Sequence, residues 1–214
     1  MEFINKVLLC TKMKLNKKVD LYNQYYVSNN LYERNLKPMY KTINSLINFN
    51  CNSFLDFGCG KGNLSDFFQS NHNCKVYKYD PAIEEYKNID ENLTVDLIAN
   101  CDVMEHIPED EIDNMLEQLS EISNNVFFNI YLKEAETFLP NGENAHCTIK
   151  PAQWWEKRIK KFFKKTYTVK TTYKNSISII TWNISIKEKI KLNISNFIIL
   201  LDYFIWKIRS FLKK

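Results

Sequence analysis

Three glycines, Gly58, Gly60 and Gly62, stand at alternate positions in Phe54-Leu-Asp-Phe-Gly-Cys-Gly-Lys-Gly-Asn-Leu64. The whole chain of 214 residues has four glycines, where an average usage of about 7% would give roughly fifteen. Glycine at this spacing lets the backbone take positive φ and lets a ligand approach with no Cβ in the way. The turn follows an apolar strand and opens a helix, where amide N–H groups bind a carboxylate or a phosphate. A dinucleotide-binding turn wants GxGxxG, and here the third glycine comes one residue early. Asp80 follows Asp56 by 24 residues, at the next strand end, where a carboxylate accepts both hydroxyls of a ribose.

A second group lies further on, in Asp96-Leu-Ile-Ala-Asn-Cys-Asp-Val-Met-Glu-His-Ile-Pro108 and Asn144-Ala-His-Cys-Thr-Ile-Lys-Pro-Ala-Gln-Trp-Trp155. Asp102, Glu105 and His106 form an acid-x-x-Glu-His cluster just past a strand, and His146 sits in the loop after the next one. In an open α/β sheet that rim is where ligands bind. Two carboxylates and two imidazoles can hold Mg²⁺ or Mn²⁺ and acidify a bound hydroxyl. Without a metal, His106 or His146 serves as a base or a substrate contact. In the third reading Glu105 and His106 cap the following helix and brace the rim. His72, in a polar loop, reads as a surface residue.

The elements that must position these groups follow from hydrophobic periodicity. Residues 20–50 predict two helical stretches split near Pro38, with Tyr22, Tyr25, Tyr26, Tyr32 and Tyr40 on an aromatic side that would close over the ligand. Strands are expected at Ser53–Phe57, Cys74–Tyr79, weakly near 89–94, and at Val95–Asn100 and Asn125–Leu132. Helices are expected from Leu64, over Glu109–Ile122 and over Pro151–Phe163, and a closing hairpin at Thr166–Tyr173 and Ser176–Ile186. Strands alternating with helices, then a terminal β pair, predict an α/β fold with a mostly parallel sheet and one antiparallel strand. A helical cover over 1–50, a main domain over 51–190 and an amphipathic basic helix over 191–214 divide the chain.

The net charge of +4 conceals a division: −13 over residues 51–150, +12 over 151–214 and +5 over the first fifty. An acidic middle would repel the phosphates of a dinucleotide and attract a ligand carrying a sulfonium and an ammonium. The 45% hydrophobic content excludes collagen-like and disordered classes. Six cysteines without a CxxC pair read as reduced thiols of a cytosolic protein. The apolar patch Val7–Cys10 is too short for a signal peptide, and no spanning helix is expected.

The glycine turn, Asp80 and the Asp96–Pro108 segment together resemble the class I S-adenosylmethionine-dependent methyltransferases, in the small-molecule branch that carries a D-V-x-E-H-I-P segment. The resemblance covers roughly residues 50–165 and implies a Rossmann-like fold with a seven-stranded sheet. It implies that Gly58, Cys59, Gly60 and Gly62 line the methionine moiety, that Asp56 holds its amino group, and that Asp80 takes the ribose hydroxyls. Cys101 and Asp102, within Ala99–Val103, would flank the adenine and the transferred methyl. The set Asp102, Glu105, His106 and His146 is similar to the metal-binding quartet of small-RNA 2′-O-methyltransferases. Quinone-ring O-methyltransferases also carry a histidine at the second of these positions.

The implied activity is methyl transfer to an oxygen, less readily a nitrogen, of a small molecule, glycan or lipid-linked acceptor. Glu105, His106 and His146 are the catalytic candidates, S-adenosylmethionine is the cofactor, and a divalent metal is an open addition. Amino-group DNA methylation would want an (Asp/Asn)-Pro-Pro-aromatic motif and cytosine-C5 methylation a Pro-Cys dipeptide, and neither occurs. RNA 2′-O-methylation and a non-catalytic cofactor-binding module are the alternatives, nucleic acid being disfavoured. Trp154 and Trp155 start a helix whose later turns carry Lys157, Arg158, Lys160, Lys161, Lys164 and Lys165, a solvated face or an anion-binding patch. The segment from Asn196 to Lys214, with Trp206 and its terminal cations, resembles an interfacial membrane helix, or packs on its own core, or joins a dimer. A cytoplasmic monomer or homodimer, with peripheral membrane contact through residues 193–214, is the expectation.

Overall fold

The computed structural model describes residues 19–21, 24 and 36–212. Cys10, Tyr22, Tyr25, Tyr26 and Tyr32 fall outside them. The first fully described helix is α1 (Lys37–Leu46), entered from Leu36 with Pro38 in its first turn, where a missing N–H costs nothing. It is followed by β1 (Ser53–Phe57), α2 (Asn63–Asn71), β2 (Lys75–Tyr79), β3 (Leu97–Cys101), α3 (Ile112–Ile122) and β4 (Val126–Tyr131). The chain then forms α4 (Ala152–Ile159), β5 (Tyr167–Val169), β6 (Ser176–Ile180) and the long α5 (Ile186–Leu212).

Six strands form one sheet in the order β2-β1-β3-β4-β6-β5. β2, β1, β3 and β4 pair in parallel, and β6 runs antiparallel to both β4 and β5. This is the expected mixed α/β sheet with one reversed strand, but with six strands among the described residues instead of seven. The strand expected near 89–94 is a turn: Asp90 Oδ1 accepts the Asn92 N–H, and the Asp90 carbonyl accepts the Leu93 N–H. A side chain that satisfies its neighbours' amides in this way offers the backbone an alternative to a sheet ladder.

Both faces of the sheet are covered. Phe54, Leu97, Ala99 and Phe127 face α1, α2 and α5, where Ile43, Leu46, Phe68 and Leu192 meet them. Leu55, Ile98, Phe128 and Ile130 face α3 and α4, packing on Leu116, Leu119, Trp155 and Ile159. The two strands β1 and β3 are therefore buried on both sides, which explains their continuous apolar runs. α1 is part of this core, and Tyr40 packs on Phe67, Phe68 and His72. His72, expected at the surface, is half-buried against the Phe68 ring. Trp155 is fully buried and fixes α4 to the sheet, while Trp154 lies under Arg158.

β6 stops at Ile180 because Thr181 turns its hydroxyl to the Asn124 carbonyl and accepts the Val126 N–H. Four residues later Ser185 starts α5. Its hydroxyl accepts the Lys187 N–H, and Glu188 accepts from both the Ser185 N–H and hydroxyl. That is a capping box, and it places the helix start five residues earlier than expected. No helix among the described residues is long and apolar enough to cross a membrane.

Candidate active site

In a parallel sheet all strand C-termini lie on one edge, and here that edge gathers the groups singled out in the sequence. The connection from β1 to β2 runs one way, and that from β2 to β3 returns across β1 to its other side. The crevice outside β1 and β3 is thus the topological switch point, the ordinary ligand position in such sheets.

The turn after β1 is tied down amide by amide. Gly58 and Cys59 donate their N–H groups to the Tyr79 carbonyl at the end of β2, at 2.7 and 3.0 Å. Gly60 donates to Asp80 Oδ2 at 2.8 Å, and the other Asp80 oxygen accepts the Ala82 N–H at 2.9 Å. All four glycines in the sequence have positive φ. At Gly58 a second constraint applies: a Cβ there would lie 2.3 Å from Val103 Cγ2. Gly62, left-handed, is the residue from which α2 starts, so the turn delivers the positive end of a helix to the edge.

Asp56 is buried in β1, and one of its oxygens accepts both the N–H and the hydroxyl of Ser65. Burial outweighs these bonds and pushes its pKa from 3.8 up to about 6. Burial also raises Asp80. The Cys59 and Cys101 thiols are pushed up by burial and by neighbouring carboxylates, so they stay protonated.

Asp102, at φ 57°, is one of two non-glycine residues with positive φ among those described. It holds this conformation through its N–H to the Asn129 carbonyl and its carboxylate to the Asn129 amide. Beside it the Asn100 side chain is fully buried, and neither amide atom has a hydrogen-bond partner among the described residues. An orphaned donor and acceptor next to the crevice fit a site that takes a polar ligand.

Glu105 and His106 lie in a 3-10 turn, Met104–His106. The loop carrying His146 is laced onto this turn: Cys147 and Thr148 donate their N–H groups to the Glu105 carbonyl, and the Thr148 hydroxyl bonds the Ile107 carbonyl. Glu105 Oε1 accepts the Tyr131 N–H from the end of β4. His106 Nδ1 bonds the Ala145 carbonyl at 2.9 Å and His146 Nδ1 the Lys133 carbonyl at 2.7 Å. A carbonyl only accepts, so both Nδ1 atoms carry the proton, and each ring keeps Nε2 as its acceptor nitrogen. One ligand atom each from Glu105, His106 and His146 lies within 4.8 Å of the others. Asp102 does not join this cluster: the set of four in the sequence is a set of three in space.

A family model described as a methyltransferase domain matches residues 27–162. The chain belongs to this methyltransferase family. The methyltransferase domain includes the glycine turn, Asp80 and the Glu105–His106 turn. No curated protein sequence matches the chain significantly. Among solved structures, an O-methyltransferase family protein from Burkholderia thailandensis superposes with a TM-score of 0.52 at 11% identity, over 70% of this chain and 56% of that one. The 1,6-didemethyltoxoflavin-N1-methyltransferase of the same organism, solved with 1,6-didemethyltoxoflavin and S-adenosylhomocysteine, gives 0.54 at 11% identity, over 77% and 87%. The small RNA methyltransferase HEN1 gives 0.50 at 14% identity, over 70% of this chain and 25% of that one. The chain thus spans little more than half the length of the first of these neighbours.

Ser65, Asn129 and Tyr173 also stand at this edge, outside the motifs of the sequence. Asn129 could be read from the sequence as the polar interruption of the strand Val126-Phe-Phe-Asn-Ile-Tyr131, and it braces Asp102 while accepting from Ser176 and Ser178. Tyr173 gives no such signal. Burial and the nearby Cys101 and Asp102 hold its hydroxyl well above the ordinary tyrosine range.

Proposed function

We propose that this chain is an S-adenosylmethionine-dependent methyltransferase acting on an oxygen of a small molecule, glycan or lipid-linked acceptor. The observation that carries this reading is the meeting of the amide-tied glycine turn and two tautomer-fixed imidazoles on one sheet edge. Asp56, Asp80, Asp102 and Glu105 give that edge a negative field, which attracts a cofactor bearing a sulfonium and an ammonium. Asp80, anchored by Gly60 and Ala82, keeps lone pairs for the ribose hydroxyls. Asp56 neutralises the cofactor's ammonium, directly or through water.

Methyl transfer is an in-line displacement: the acceptor oxygen attacks the methyl carbon, and the carbon–sulfur bond breaks with its electron pair going to sulfur. The sulfonium becomes a neutral thioether, and the acceptor's proton must leave. Nε2 of His106 or His146 takes that proton, a contribution of roughly 10²–10⁴ in rate. Glu105 positions both histidines through its backbone carbonyl. Glu105, His106 and His146 also form a donor set that fits a divalent cation. When bound there, such a cation would lower the pKa of an acceptor hydroxyl.

A second reading, RNA 2′-O-methylation, is favoured by the same three-residue cluster and by the exposed lysines 157, 160, 161, 164 and 165. It requires RNA affinity that falls steeply with salt. The deciding experiment supplies methyl-labelled cofactor with separate small-molecule, glycan, lipid-extract and RNA pools. Label in a non-RNA pool, lost in His106→Ala, supports the oxygen-acceptor reading. Label only in RNA supports the second, and cofactor binding with no label in any pool indicates a non-catalytic module.

A further inference from the structure

α5 runs 27 residues, and one of its faces packs against none of the described residues. At about 100° per residue, Glu188, Leu192, Ser195 and Ile199, the buried positions of the helix, share one side. Ile190, Phe197, Leu201, Phe204, Ile208 and Phe211 line the opposite side, all exposed, with Phe197 at 67% and Phe211 at 79%. Leu200 and Ile205 widen the stripe on either flank and are exposed as well. Cations border it: Lys189 and Lys207 on one edge, Lys187, Lys191 and Arg209 on the other.

We propose that this face is a binding surface for an anionic lipid bilayer, with α5 lying in the plane of the interface. A monomeric protein leaves so long an apolar stripe open only where a partner takes it. A second copy fits poorly, because the stripe is broader than the two-position seam of a paired coiled coil. The charged residues at its two borders are mostly cationic, Lys189 and Lys207 on one and Lys187, Lys191 and Arg209 against the single Asp202 on the other, so self-pairing would bring cation to cation. An anionic headgroup layer neutralises both borders while the acyl region takes the phenylalanines and isoleucines between them. A span is excluded by the hydropathy of the helix.

A cleft of about 840 Å³ opens beside the second border, walled by Ile194 and Ile198 of α5 and lined by Lys41, Asn44, Asn52 and Lys191. Lys41 is held there by Asp202 at 2.7 Å and Lys191 by Glu188 at 3.8 Å. Its amide donors suit the phosphate of a lipid headgroup. Asn52 and Asn73 place the cleft at the N-terminal edge of the sheet, away from the glycine turn. Lipid and cofactor therefore bind without competing, and the proposal does not depend on methyl transfer.

The test is co-sedimentation of the full chain with vesicles of phosphatidylcholine alone or mixed with phosphatidylglycerol. The expected result is binding to the mixed vesicles, weakened at least about tenfold in Phe197→Ser/Phe204→Ser/Phe211→Ser, with S-adenosylhomocysteine affinity and circular dichroism unchanged. Because all three side chains are exposed, the variant keeps its core. Lys189→Glu/Lys207→Glu should lose the preference for phosphatidylglycerol. No sedimentation with mixed vesicles, or binding indifferent to the triple variant, overturns the proposal. So does a lipid-free dimer by light scattering that the triple variant dissociates and that does not bind vesicles.

Discussion

The imidazoles of His106 and His146 meet edge to face, ring centres 4.8 Å apart and planes at 74°, although 40 residues separate them in the chain. The backbone of Glu105 brings them together by accepting the Cys147 and Thr148 amides. The Tyr131 ring, 5.3 Å from His146, closes the third side. Each ring donates its Nδ1–H to a main-chain carbonyl, which in the proposed reaction would fix the tautomer before a proton or a cation arrives at Nε2.

Replacing either histidine should therefore separate chemistry from cofactor binding. His106→Ala and His146→Ala are each expected to lower kcat by roughly 10²–10⁴ while leaving the Kd for S-adenosylhomocysteine within a factor of about two. A parallel loss of cofactor affinity would place these rings with the cofactor instead of the acceptor. Metal analysis of the full chain after incubation with Mn²⁺ checks the cation reading. Stoichiometric metal lost in His146→Ala supports it, and full activity in excess chelator removes it.

The Gly58 position should be intolerant for two separable reasons. Gly58→Ala meets both the left-handed φ of 79° and the Val103 side chain, for an expected loss of roughly 1–3 kcal/mol. Val103→Ala in the same chain relieves the clash but leaves the backbone strain. Urea unfolding of the single and double variants should show partial recovery, and complete recovery would mean that φ costs nothing there.

Cofactor affinity should follow the ionisation of Asp56. Its pKa stands at about 6 in the unliganded protein, above the ordinary 3.8, so the folded chain takes up a proton there between those values. In that window the group's contribution to stability falls as pH rises, the reverse of an ion-paired aspartate. An ammonium bound beside it favours the ionised form and releases the proton. S-adenosylhomocysteine should bind about tenfold more weakly for each pH unit below about 6. Calorimetry across this range checks it, and Asp56→Asn should flatten the profile.

Much of the edge was legible because its signals are local. Ser53–Phe57 is bounded by Asn52 and the glycine turn, so its ends follow from the residue types alone. The Asp102-x-x-Glu-His spacing marked the rim, but nothing in it says that Asp102 turns away to Asn129 while Glu105 turns in. That choice depends on a left-handed φ at Asp102, set by contacts with β4. The apolar residues at 89–94 suggest a strand, but the Asp90 side chain makes a turn there. At the other end of the chain, Ser185-Ile-Lys-Glu188 was a readable helix start hidden behind a β-branched run. Tyr173 reaches Cys101 and Asp102 only through the tertiary fold, and no sequence spacing announces it.

The most direct test of the central claim is isothermal titration of the full chain with S-adenosylhomocysteine. The expected result is one site per chain, with affinity reduced at least about tenfold in Asp80→Ala, which removes the proposed ribose acceptor and the anchor of Gly60. A chain that remains folded and shows no heat of binding, or an Asp80→Ala variant that binds as the parent does, would contradict it.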